Sequence, residues 1–313
     1  MQMTRHSSPP SLMPKLFCRL PQILAQKTLT MKNGTAEIYK LVVSLVCICM
    51  VLLYTVMTIP NAHADPLKNY EQAKEAAMIT MAREDTQRAI EVIVSRPSAE
   101  DAMRVFELVV GDLYWQSKNL NAALLIGRAG IQFGLAEAQR AAGHNQALAY
   151  VLTSRAKMLA YNLSSFCWPG WQAPGIEIPA VYLAQGQDLA KTNMRLALQL
   201  RKGDLPMSRA WWLMGAHHLA IGHYERARRA FVEGTRFAIA AQTRESELML
   251  RGYVYLSDML KHPDNERLAS EFGFVLEELE KSQEGRFFGE QLQTALRVFE
   301  HQRNATDALE PLR

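Results

Sequence analysis

Cysteine is scarce in this 313-residue chain, and three of its four cysteines (Cys18, Cys47 and Cys49) fall within the first 64 positions. If that stretch is removed, Cys167 stands alone and no intrachain disulfide can form. The 249 residues that follow are enough to bury a helical core without such staples. A lone thiol in apolar company reads as buried and inert rather than as a nucleophile. The signatures of catalysis and cofactor binding are missing too: there is no G-x-S-x-G, P-loop, G-x-G-x-x-G, C-x-x-C-H or H-E-x-x-H. His217, His218 and His223 are the wrong distances apart for one helical face, which needs separations of three or four, so structural roles are expected and no metal site. An excess of one charge is absent as well. Removing the six Lys/Arg and one acidic residue of 1–64 from totals of 35 and 31 leaves 29 basic against 30 acidic groups. Nucleic-acid binding therefore loses its electrostatic footing. Arg226, Arg228, Arg229 and Arg236 share their helix with Glu225 and Glu233, the pattern of a solvated, salt-bridged face.

Long apolar runs are rare, and the main one is informative. Leu41 to Pro60 is uncharged, follows Lys32 and Lys40, and ends at Asn61-Ala62-His63-Ala64. A charged segment, an apolar segment and an Ala-x-Ala site together read as a secretory signal peptide over 31–64, cleaved after Ala64. Asp65-Pro66 would then open the first helix as an N-cap and a first-turn proline. The chain is expected in the periplasm or secreted; the alternative is a retained membrane anchor, since about 20 apolar residues also span a bilayer. Residues 1–30 lack periodicity and are expected to be a non-native or disordered extension, with Met31 as a candidate start. Residues 302–313 are expected to be a disordered tail.

The stretch Trp211 to Gly234, WWLMGAHHLAIGHYERARRAFVEG, carries the strongest pattern. Trp211, Met214, Gly215 and His218, followed by Ala227 and Phe231, match W-x2-L-G-x2-Y and A-x3-F with two replacements. Gly215 and Ala227 are small where two helices would cross closely, and Trp211, Met214 and Phe231 fill the space beside them. Upstream, Ala77, Thr80, Ala89 and Ile93 recur 34 residues later as Gly111, Tyr114, Ala123 and Gly127. The chain thus resembles the tetratricopeptide (TPR) repeat superfamily. The resemblance implies an all-α superhelix of stacked antiparallel helical hairpins over 65–301, with hairpins at about 66–97, 98–136, 139–201, 207–240 and 243–281 and a closing helix near 285–301. Arg96-Pro97-Ser98, Asp204-Leu205-Pro206 and His262-Pro263-Asp264 supply the breaks.

In that family the first helix of each hairpin lines a concave groove that binds a partner. Matching positions here are Val105, Leu108, Asp112 and Trp115; Arg209, Trp212, Ala216 and Leu219; and Met249, Tyr253 and Leu256. Trp211 is expected to pack and Trp212, one residue round the helix, to face the groove. The third hairpin carries an insertion, 161–177, in which two prolines and two glycines forbid continuous helix and Phe166, Trp168 and Trp171 need burial. These aromatics either plug the superhelix or contact a ligand. The reading is a non-enzymatic scaffold that binds a protein or peptide in its groove, without cofactor. The alternative is a solute-binding accessory similar to the TPR-like periplasmic components associated with TRAP transporters, for which a deep apolar cavity lined by Trp168, Trp171 and Trp212 would speak.

Overall fold

The computed structural model describes residues 66–309, with side chains over 69–305, and the described residues belong to one compact unit. The expected extension, signal segment and cleavage site lie outside the described residues, among which no helix is long and apolar enough to cross a membrane.

Eleven α-helices and no strand occur among the described residues. They are α1 (Pro66–Arg83), α2 (Thr86–Val94), α3 (Ala99–Trp115), α4 (Leu120–Ala141), α5 (Gln146–Phe166), α6 (Ala180–Gln199), α7 (Asp204–Ala220), α8 (Tyr224–Ala240), α9 (Arg244–Lys261), α10 (Glu266–Leu279) and α11 (Gln283–Leu309). Short polar residues start them. Asp85, Ser98, Asn119 and Asn145 each accept a hydrogen bond from the backbone N–H three residues on, satisfying a donor that the first helical turn leaves unpaired. Reversals follow where the backbone turns left-handed: Lys118, Arg201 and Gln242 have φ near 50°, and Gly222 supplies φ 73° between α7 and α8 at no steric cost. The expected breaks at 201/207 and 240/243 lie at the Arg201 and Gln242 turns, whereas the one at 136/139 falls inside α4, which continues to Ala141. The expected disordered tail instead continues α11 as far as Leu309.

Each helix packs on the next, and α1, α3, α5 and α7 also pack in series as an inner row, joined at the far end by α9 against α11. The hairpin of α7 and α8 closes through Gly215, whose absent Cβ would lie 2.5 Å from the Phe231 ring; Ala227 is fully buried beside it. Gly215→Leu is therefore expected to overpack this crossing and lower stability by about 1–3 kcal/mol or more in chemical denaturation. An unchanged midpoint would show that the crossing tolerates the extra atoms.

Buried side chains form two clusters. One spans α1 to α6; the other gathers α7 to α11. Between Cys167 and Trp168 the chain steps from the first cluster into the second.

Candidate functional site

The irregular segment is shorter than expected, because α5 runs unbroken to Phe166; it comprises 167–179, with a single 3-10 turn at Pro169–Trp171. Its aromatics are buried in opposite directions. Phe166 stacks flat on Tyr114 of α3, centroids 3.8 Å apart. Trp168 is 1% exposed, lies across Gly170, and donates its indole N–H to the Ala216 carbonyl at 3.0 Å. Trp171 donates to the Ser165 carbonyl at 2.8 Å. Around Trp168 stand Trp171, Trp212, Tyr253 and Phe299, with centroids 5.3 to 6.0 Å away and mostly edge-on, the arrangement that aromatic quadrupoles favour. The segment is thus an internal plug lying over the inner row.

This placement corrects the expected groove. Trp212 is 3% exposed, and Leu219, Met249, Tyr253, Ala216, Leu256 and Val105 are buried as well, so none of them presents an open surface. Trp211, expected to be the packing residue, is only half-buried. His217 is buried where His218 was expected, and His218 is half-buried. The physical reason is tertiary. A repeat pattern assigns the inner face of α7 to solvent, but here the plug covers it, so α7 is buried almost all round. Leu108 and Asp112 are half-buried, and Asp112 is engaged by Lys74 at 3.3 Å. Arg209 is exposed one turn before Trp212. Trp115 is 58% exposed, edge-on to Tyr114 and Phe166, with the Lys118 ammonium 5.9 Å from its ring.

A buried polar node holds the plug's root. Ser164 Oγ donates to the Gly186 carbonyl at 2.7 Å and stands 2.8 Å from His217 Nε2, which also lies 3.1 Å from the Ser164 carbonyl. With the serine proton spent on Gly186, His217 is read as carrying its proton on Nε2 and donating toward Ser164. Its Nδ1 is then a buried lone pair with no partner. Burial depresses the His217 pKa to about 4, against the opposing Ser164 contact. Gly186 is needed here, since a Cβ would come within 2.4 Å of the imidazole and 2.6 Å of Cys167 Cβ. Burial pushes the Cys167 thiol up to about 12, so no thiolate forms near neutrality. Sequence reasoning missed this node, because a Ser, a Gly and a His on three helices carry no local pattern.

Further buried polar atoms without partners are both side-chain atoms of Asn193 on α6, the Nε of Arg96 and of Arg155, the Trp212 indole N–H and the Tyr253 hydroxyl. Tyr253 OH lies beside Trp212 and Gln291, yet no contact there meets hydrogen-bond geometry. On the far side of the plug a cleft of about 390 Å³ is bounded by Tyr114, Trp168, Ile176, Ile178, Arg297 and His301, among others. Of the expected cavity aromatics only Trp168 lines it. Among the described residues no group of three or more His, Cys, Asp or Glu converges to hold a metal. No protein-family model matches this chain, and no curated protein is significantly similar to it.

Proposed function

We propose that this chain is a TPR-like binding protein, not an enzyme, and that it holds a small solute against the inner row beside the plug. One observation carries the reading: the Trp212 N–H and Tyr253 O–H are buried without partners. An unpaired buried polar group costs about 1–3 kcal/mol, and these two lie on the inner side of α7 and α9, against the plug. The plug leaves too little of the inner row uncovered for a long partner helix, whereas a solute needs only a few convergent polar groups on an apolar floor. A periplasmic location and a transporter-accessory role fit this reading.

Native mass spectrometry of the protein purified from its own cells tests it. A bound small molecule is expected, retained less by Trp212→Phe, which removes the N–H and leaves an aromatic ring in place. Tyr253→Phe is expected to leave the melting temperature of the empty protein unchanged or raised, since an unpaired hydroxyl is removed. Recovery of no solute, with a specific protein partner captured instead, would overturn the solute reading.

A protein-binding role has its own support in Trp115, an exposed aromatic beside a cation and the neighbouring cleft. That combination is enriched at interface hot spots.

A further inference from the structure

On α5, Tyr150, Ser154, Lys157 and Tyr161 are spaced four, three and four residues apart and share one stripe. Lys202, in the turn between α6 and α7, reaches back to this stripe. Its Nζ donates to Ser154 Oγ at 2.9 Å and Tyr150 OH at 3.0 Å, and lies 4.5 Å from the Tyr150 ring centroid. Lys157 Nζ stands 5.7 Å from the centroid of Tyr161. Arg209 of α7 is close enough for its charge to act on both Lys157 and Tyr161. Among the described residues none of these three cations pairs with a carboxylate.

Two other basic residues on these helices are neutralised, Arg155 by Glu107 and Glu100 and Lys191 by Asp188, whereas Arg195 of α6 has no carboxylate partner among the described residues. Burial, then the charges of Lys202 and Arg209, bring Lys157 down to about 8. Three uncompensated cations with nearby hydroxyls form a preorganised counter-charge. The group also adjoins the unpartnered buried atoms. Tyr161 packs on the second core cluster and feels both Arg209 and Tyr253, and Arg209 lies one turn from Trp212.

We propose that Lys157, Lys202 and Arg209 form the oxyanion-binding end of this site, so that the ligand is a solute whose carboxylate or phosphoryl group sits among the three cations. The inference rests on the solute-binding reading and adds the ligand's charge.

The purified full chain is titrated with inorganic phosphate and with succinate, against choline chloride at matched ionic strength, followed by calorimetry and tryptophan fluorescence. At least one anion is expected to saturate, and Lys157→Met or Arg209→Met is expected to weaken it at least tenfold. The same substitutions should leave the melting temperature of the empty protein unchanged or raised, because they relieve like-charge repulsion; a merely structural role would lower it. A parallel arm uses phosphatidylglycerol vesicles: binding there that is lost in both variants, without response to free anion, assigns the oxyanion to a lipid headgroup. No saturation in any arm, or equal response of wild type and variants, overturns the inference. If a neutral solute is recovered from the native protein and binds Lys157→Met as well as wild type, the charge assignment fails while the solute reading stands; if no solute is found at all, both fail.

Discussion

Trp168→Ala is expected to lower stability by about 3–5 kcal/mol, because it removes a fully buried indole and leaves a void that its neighbours cannot close. Trp171, Trp212, Tyr253 and Phe299 would all lose a ring face, and the Ala216 carbonyl would lose the indole donor. The loss should not be uniform. In a stack of repeats each unit is stabilised by its neighbours, and Trp168 belongs to the second core cluster while Phe166 and Cys167 belong to the first. Hydrogen exchange on the variant should therefore show amides of α7 to α11 losing more protection than those of α1 to α4. Trp115→Ala is the control: its side chain is largely exposed, and its removal should change stability by less than about 1 kcal/mol. Equal losses at Trp168 and Trp115, or an unchanged midpoint for Trp168→Ala, would show that the plug is not a structural part of the fold.

Acid should weaken the protein through His217. Burial depresses its pKa from 6.5 to about 4, so the unfolded chain takes up a proton at higher pH than the folded one does. The stabilisation is fully present above pH 6.5 and is lost progressively as pH falls toward 4. At about 1.4 kcal/mol per unit, the loss is on the order of 3 kcal/mol. Burial of the ring is the cause, and a second proton on the orphan Nδ1 would have no acceptor. His217→Gln removes the titration while keeping a side-chain N–H donor near Ser164. Urea denaturation from pH 7 to pH 4 should show a markedly flatter loss in this variant than in wild type. Some slope will persist, because burial, followed by His223, Arg226 and Lys191, also lowers His218. Identical slopes in the two proteins would show that His217 is not the group responsible.

The sequence by itself determined the helical architecture. Capping residues at Asp85, Ser98, Asn119 and Asn145 stop and start helices through hydrogen bonds no more than three residues long, and such local chemistry is visible along the chain. The same holds for Gly215 and Phe231, whose spacing encodes one hairpin crossing. The loop aromatics could also be read as needing burial, since three large rings in an irregular segment have no local means of leaving water. What the sequence could not show was which surface receives them. The plug lies over α7, α9 and α11, up to 131 residues away in the case of Phe299, and no periodicity records a contact between a loop and helices so distant. For that reason Trp212 and Tyr253 were legible as inner-row positions but not as covered ones. Only the tertiary structure decided that the inner face is closed on one side by the chain's own tryptophans. It likewise brought Lys157, Lys202 and Arg209 together, because their convergence depends on how α5 and α7 lie side by side, a packing property that spacing within either helix does not contain.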